Sequence, residues 1–449
     1  MSKKVLWTWR EACEALELSI SQGPNIKGIS IDSRTCQEGD LFVALKGNPG
    51  EELGRSMPLN RDGHDYIEHA IKAGAVGVLC QDSSDKSIPS LRVKNTWKAL
   101  WEWAVKSRSR LKTPVIAITG SSGKTTAKSY FTEALGGFSS IGSLNNHLGV
   151  PISLLITPKN SKGAIFEIGT NNPGEISPLS SLVKPDVAVL LNVHEAHIGN
   201  FGTFEKLRHE KLTIFDSLSS GGKIVIEDSL SDFAPKEFET ITFGTSSQAD
   251  IQLCDVNNGS ATVSIKGKKK VFALGEGKLT EGLVLASTLA LLQILNMDLS
   301  RAEDLPVNLI PEGRGNLLNV GEITIVDDSY NANPETMRLA IQHLSKYKHR
   351  SIAVLGDMAE LGENSTEYHR ELSNFCKDID KIICVGSDMT SLYNELKIEQ
   401  KEGLFLEADE TVIERLIQIA RPGDRILVKG SNKVFWQKQF VGRLCSELV

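Results

Sequence analysis

Ile116-Ala117-Ile118-Thr119-Gly120-Ser121-Ser122-Gly123-Lys124-Thr125-Thr126 is the stretch on which the reading of this chain turns. The apolar, partly β-branched run over residues 115–119 predicts a buried strand. The glycines after it let the backbone turn tightly with its N–H groups pointing inward, and a helix begins at about Gly123. That is a phosphate cradle. Lys124 is placed over the β- and γ-phosphates of a nucleotide, and the Thr125 hydroxyl is placed to hold Mg²⁺. The usual pattern sets a glycine five positions before Gly123, where Ile118 stands, so the loop is a shortened variant with Gly120 in that role. A chance Gly/Ser/Thr turn is the bland alternative. Against it, the Lys-Thr pair falls at a helix N-terminus, where an anion is favoured.

At 449 residues the chain is too long for one core, and at about 150 residues per domain three modules are expected. Hydrophobic content of 40% and charged content of 24% are those of an ordinary globular enzyme, and a net charge of −6 offers no basic footprint for nucleic acid. No apolar run is long enough to span a bilayer, and the first residues lack a signal-peptide core, so the expected location is the cytoplasm without membrane insertion. The seven cysteines show no Cys-x-x-Cys spacing and are read as reduced thiols without chemistry.

Residues 1–112 read as a mixed α/β module. A helix is predicted over 8–18, short strands at 29–31 and 39–45, and a helix opening at Asp62-Gly63-His64 and ending at Gly74 before a strand over 76–80. Residues 47–61 have no period and read as a loop. The polar pair Ser33-Arg34 follows a strand; taken alone, such an arginine is a solvated surface residue. Trp97, Trp101 and Trp103 fall on a helix at core spacing rather than as a stacking platform.

Residues 113–309 alternate strand and helix, the pattern of a mostly parallel sheet whose chemistry gathers at the strand C-termini. Three polar clusters lie there: Asn145-Asn146-His147, Glu167 at the end of a strand over 164–167, and Asn192-Val193-His194-Glu195-Ala196-His197 after a strand over 187–191. Beside a phosphate loop, Glu167 and His197 read as Mg²⁺ ligands, carboxylate oxygen before imidazole. A helix over 204–218 carries Lys206, Arg208, Glu210 and Lys211 and, taken alone, presents a charged solvent face. Residues 250–274 form a hairpin appended to the sheet, and 279–295 a buried apolar helix. Residues 310–449 restart the alternation as a doubly wound sheet of Rossmann type without a dinucleotide Gly-x-Gly-x-x-Gly. Its functional rim carries Asp327-Asp328-Ser329-Tyr330-Asn331-Ala332-Asn333-Pro334, the 356–362 loop and Lys429-Gly430-Ser431-Asn432.

Together the shortened phosphate loop, Asn145-Asn146-His147-Leu148-Gly149-Val150-Pro151, Glu167-Ile168-Gly169, Ala196-His197 and Arg314 before the 327–334 run resemble the Mur ligase family over nearly the whole chain. The resemblance implies three domains: 1–112 for the uridine end of a UDP-muramoyl peptide, 113–309 for ATP, and 310–449 as a Rossmann-like ligand-binding domain closing over the nucleotide. It implies Ser33, Arg34, Asn145, Asn146 and His147 on the UDP substrate. It implies Gly120, Ser121, Ser122, Gly123, Lys124, Thr125, Thr126, Arg314, Asp328, Asn331 and Asn333 around ATP. It implies two Mg²⁺ ions on Thr125, Glu167, His197 and a carbamate of Lys211. Lys124, Glu167, His197 and Lys211 are the expected catalytic set.

The 356–362 loop and the 327–333 run point, within the family, to the step joining D-alanyl-D-alanine to UDP-N-acetylmuramoyl-tripeptide through an acyl phosphate, by a monomeric enzyme. Two departures stand out. The family's His-Asn-x-x-Asn adenine motif is absent at 280–284, and Lys211 precedes Leu212-Thr213-Ile214-Phe215 rather than Gly-Glu-Ile-Phe. The rivals are another step of the same family, folylpolyglutamate synthase, which lacks the uridine module, and a catalytically silent nucleotide-binding scaffold.

Overall fold

The architecture, taken from a computed structural model, describes residues 4–46, 62–81, 88–195, 198–257, 259–275, 278–307 and 309–448. The loop expected at 47–61 lies outside them. Three sheets succeed one another along the chain.

The first is a four-stranded parallel sheet of Gly28–Ser30, Asp40–Val43, Gly77–Cys80 and Ser90–Arg92. Ahead of it, Thr8 caps the helix Trp9–Ala15 in a capping box with Glu11, which starts the helix one residue later than expected; it also ends earlier. The helix Thr96–Arg110 buries Trp97 and Trp103, and Trp103 meets Trp7 edge-on at 5.2 Å between ring centres. The tryptophans are core. Trp7 also donates from Nε1 to the Leu155 carbonyl at 2.9 Å. Leu155 belongs to the almost wholly buried helix Gly149–Ile156, so the first sheet shares apolar packing with the next.

The nine-stranded second sheet runs, in spatial order, Lys268–Ala273, Ser260–Ile265, Ile251–Asn257, Glu239–Gly244, Lys223–Glu227, Val187–Leu190, Val115–Thr119, Ala164–Glu167 and Phe138–Ser139. All pairs are parallel except the two made by the appended hairpin strands. Pairing of Ile118 with Glu167 and of Thr119 with Leu190 sets three strand ends side by side. The helix Leu279–Ile294 covers one face and is buried almost throughout.

The third sheet runs Asn316–Val320, Ile323–Asp328, Arg425–Lys429, Ser351–Gly356, Lys381–Val385 and Lys401–Phe405. Only its first pair is antiparallel. It meets the second sheet's domain where the short helix Ile198–Phe201 touches the 356–362 loop: Gly199 N donates to the Glu360 carbonyl at 3.2 Å, and a Cβ on Gly199 would lie 2.7 Å from the Gly362 nitrogen. Only glycine fits there.

The helix carrying Lys211 corrects one expectation. It spans Phe204–Leu212, gives way to a 3₁₀ turn at Thr213–Phe215, and buries Glu210 and Lys211 where a charged solvent face was expected. The reason is local. The Glu210 carboxylate accepts the main-chain N–H groups of Gly174, Glu175 and Ile176 at 2.7, 2.9 and 2.8 Å, satisfying donors at the start of the helix Ile176–Val183. Glu210→Ala leaves those donors, of which the Ile176 N–H is buried, without their acceptor and should lower stability by about 1–3 kcal/mol in a denaturant titration; a change under ~0.5 kcal/mol would show that the anchor is not structural.

Candidate active site

The phosphate loop lies where the sequence placed it. Strand Val115–Thr119 is fully buried, Gly123 takes a left-handed φ of 77°, and the helix Lys124–Leu135 starts immediately after. The loop is pinned from below by the segment after strand Val187–Leu190. Ser122 N donates to Asn192 Oδ1 at 3.0 Å, and Ser121 Oγ exchanges hydrogen bonds with the main chain of His194 at 2.9 Å each. Lys124 folds back, its Nζ donating to the Gly120 carbonyl at 2.6 Å.

Beneath the loop sits one buried carboxylate. Glu167 accepts from Thr125 Oγ1 at 3.0 Å through one oxygen, and from Ser143 Oγ at 2.9 Å and Asn145 Nδ2 at 2.8 Å through the other. Lys128, equally buried, lies 3.8 Å away and donates to the carbonyls of Ser140 and Gly142. Burial alone would raise the Glu167 pKa, but Lys124, Lys128, Arg314 and the Asn145 bond outweigh it and hold the group below the usual carboxylate range. Burial in turn pulls Lys124 and Lys128 down, against the pull of Glu167. Lys211, 2% exposed, is driven far below the ordinary lysine value, first by burial and then by Lys124, with Glu210 opposing.

The third sheet supplies the opposite wall. A cleft of about 490 Å³ is lined from one side by Ser122, Gly123 and Thr126 and from the other by Arg314, Asp328 and Asn331. Arg314 stacks on Tyr330 at 3.9 Å, and Tyr330 meets Trp436 edge-on. Asp328 pairs at 2.7 Å with Lys429, whose Nζ also donates to the Asn331 carbonyl at 3.1 Å. Asn333 borders the same cleft, yet its side chain caps the helix Pro334–Leu344 by accepting from Thr336 N at 2.9 Å.

Not every expected residue faces this cleft. Ser33 is buried and Arg34 exposed beside the first sheet, with its guanidinium forked onto Asp32 at 2.9 and 2.6 Å. Asn146 Oδ1 is engaged by the N–H groups of Leu148 and Gly149, and the buried His147 ring stacks on Trp97 at 6.2 Å. Ala196 and His197 lie outside the described residues. Sequence reasoning passed over Lys128 and gave no role to Ser143 or to Lys429, which it placed only on the rim of the third domain. Lys128 had a signal, since it stands one helical turn after Lys124 on the same face. Thr125 and Glu167 converge hard oxygen donors under the loop, which suits Mg²⁺, an ion that keeps waters and takes one or two carboxylates beside phosphate oxygens.

Three family descriptions match the chain in order: "Mur ligase family, catalytic domain" over residues 25–100, "Mur ligase middle domain" over 118–283, and "Mur ligase, glutamate ligase domain" over 313–432. A relative from Rickettsia prowazekii, UDP-N-acetylmuramoyl-tripeptide–D-alanyl-D-alanine ligase, is 31% identical over 96% of this chain and 98% of its own length. The chain belongs to the Mur ligase family. The Bacillus subtilis protein of the same name is 30% identical over 91% of each chain. Among solved structures, MurF from Acinetobacter baumannii superposes on this Mur ligase with a TM-score of 0.81 at 27% identity, covering 98% of this chain and 99% of that one. MurF from Thermotoga maritima in complex with ADP gives 0.78 at 28%, covering 94% and 97%.

Removing Lys128 takes one of three compensating cations from the buried Glu167 and leaves the Ser140 and Gly142 carbonyls without their donor. Lys128→Met should therefore cost about 3 kcal/mol or more in this Mur ligase. Adding Glu167→Gln should recover part of it, with a coupling above about 1 kcal/mol in a double-mutant cycle. Additive losses would mean the two groups do not depend on each other.

Proposed function

We propose that this Mur ligase joins D-alanyl-D-alanine to UDP-N-acetylmuramoyl-tripeptide with ATP, giving the UDP-linked pentapeptide, ADP and phosphate. The observation that carries the reading is the single cleft shared by the phosphate loop and the Arg314–Asp328–Asn331 wall, with a buried carboxylate and a buried lysine beneath it. The relatives named above carry the same activity in their names and match end to end.

A carboxylate in water is a poor electrophile, and ATP supplies the remedy. An oxygen of the tripeptide's terminal carboxylate attacks the γ-phosphorus, the bond to the β-bridging oxygen breaks, and ADP departs. The dipeptide amine then attacks the acyl carbon; the bond to the phosphate-bearing oxygen breaks, phosphate leaves with that oxygen, and the amine sheds a proton. Lys124 compensates the charge spread over the transferring group, and Arg314 approaches it from the third domain. Thr125 and Glu167, with His197 assigned by the resemblance, would hold Mg²⁺, which would supply further charge neutralisation there. Enclosure between two domains excludes the water that would hydrolyse the acyl phosphate.

Lys211 fits the carbamate that the family carries. Only a neutral amine adds carbon dioxide, and burial next to Lys124 favours the neutral form. The product is an anion facing a cation-rich site. Ser33 and Arg34 take the uridine end, and the loop carrying Asn145, Asn146 and His147 forms the wall toward the peptide. The division into 1–112, 113–309 and 310–449 follows the three sheets. The first module separates this reading from a folylpolyglutamate synthase.

Lys124→Ala should abolish phosphate release that depends on both the UDP-tripeptide and the dipeptide while leaving thermal unfolding within a few degrees; rates near wild type would sink the phosphate-loop assignment. Lys211→Ala should be nearly inactive and partly restored by short carboxylates, whereas full activity in carbonate-depleted buffer would make it a packing residue. Arg34→Ala should raise KM for the UDP-peptide far more than it lowers kcat, as a contact equal in ground and transition states does. A selective fall in kcat would contradict it.

A further inference from the structure

Lys128 does more than compensate Glu167. Its ammonium, 3% exposed, donates to the carbonyls of Ser140, at 2.9 Å, and of Gly142, while Glu167 lies 3.8 Å away. An ammonium has three N–H donors, so two hold the main chain on either side of Ile141 and one remains for the carboxylate. The same segment is tied a second time. Ser143 Oγ and Asn145 Nδ2 donate to one oxygen of Glu167, and Gly169 N donates to the Asn145 carbonyl at 2.8 Å. Taking an ammonium out of water is costly, and neutral donors would suffice to hold a turn. A charged grip instead ties the position of residues 140–145 to the charge cluster under the phosphate loop.

This grip displays Ile141. Between the two held carbonyls its side chain stands 95% exposed, the highest value for a large apolar side chain among the described residues. A solitary exposed isoleucine is ordinary on a surface. This one sits on a segment with a defined course. The segment leaves the edge strand Phe138–Ser139, is fastened to Glu167, and enters the helix Gly149–Ile156, which is joined to the first module through Trp7. The UDP-linked substrate has to follow the same course, with its uridine end on the first module and its reacting carboxylate beside Lys124. Its peptide arm carries methyl and methylene groups across the segment that bears Ile141. Gly142 sets the angle of the display. It takes a left-handed φ of 68°, and nothing lies within 4 Å of the place its Cβ would occupy. Glycine is favoured there by backbone conformation and not by lack of space.

We propose that Lys128 is a positioning residue for the UDP-linked substrate: by holding the Ser140 and Gly142 carbonyls it presents Ile141 as an apolar contact for the peptide arm. This rests on the ligase reading and adds two residues to the path of its first acceptor. Neither residue touches the transferring phosphoryl group, so the effect belongs to binding of the UDP-peptide and not to the chemical step.

The test uses the full chain and follows phosphate release while UDP-muramoyl-tripeptide, ATP and D-alanyl-D-alanine are varied in turn. Ile141→Ser, at an exposed position, should raise KM for the UDP-tripeptide about tenfold, the scale of a lost apolar contact, and leave kcat and the other two KM values within about twofold. Gly142→Val should do the same by turning the carbonyl away, because a β-branched residue does not hold a left-handed φ. Gly142→Asn tolerates that conformation and should stay within about twofold of wild type. Lys128→Met should raise KM for the UDP-tripeptide and for ATP together, being joined to both sites; if it does not fold, the Gly142 pair decides alone. Calorimetric titration of UDP-tripeptide into the MgADP complex should rank the variants in the same order. An unchanged UDP-tripeptide KM in Ile141→Ser overturns the contact, and equal behaviour of Gly142→Val and Gly142→Asn overturns the grip. A rise in KM shared by all three substrates in Ile141→Ser or Gly142→Val marks a structural lesion and overturns the proposal too. Those results spare the ligase reading. Absence of phosphate release dependent on UDP-tripeptide and dipeptide in wild type defeats the ligase reading, and this inference with it.

Discussion

The carboxylate of Glu167 is the one charge the rest of the site is arranged around. Desolvating an ion costs several kcal/mol even after relaxation, so a buried anion persists only where cations and hydrogen bonds surround it. Here the cations come from two domains. Lys124 and Lys128 rise one turn apart on the helix after the phosphate loop, and Arg314 reaches over from the third sheet. Three cations against one carboxylate leave the pocket short of negative charge before any ligand arrives. Phosphate groups and an acyl phosphate would redress that imbalance.

The same imbalance governs Lys211. A lysine placed near Lys124 in a dry site is driven to give up its proton, whereas the same residue on a solvated helix would keep it. Glu210 makes this placement possible. By capping the helix Ile176–Val183 from the adjacent position, it fastens the Lys211 turn into the interior rather than letting it fray toward solvent. A structural carboxylate and a reactive amine are thus neighbours on one turn, with opposite tasks.

Much of this was legible from the residues. Apolar runs gave Val115–Thr119, Ala164–Glu167 and Val187–Leu190 of the second sheet and the four inner strands of the third nearly to the residue, because strands buried on both faces leave an unbroken signal, whereas Lys223–Glu227 and Glu239–Gly244 were passed over. The edges left none. Asn316–Val320 and Lys401–Phe405 are half-exposed along their length, so neither a run nor a clean alternation marks them, and both were passed over. The site divides in the same way. Lys124, Thr125 and Glu167 are tied to local strand-and-turn patterns, and the structure brings them together. Lys429 and Ser143 owe their places to contacts with residues far along the chain, and Asn333 and His147 carry capping and packing duties that spacing does not reveal.

The glycine pair at Gly199 and Gly362 bears on how far the two domains can approach. Their main chains touch with no side chain between them, so the contact has none of the give that a rotamer change would lend it. Approach therefore ends at a hard wall. At this point the distance between the middle and third domains is set by main-chain atoms alone, much as a machinist's stop fixes the travel of a tool.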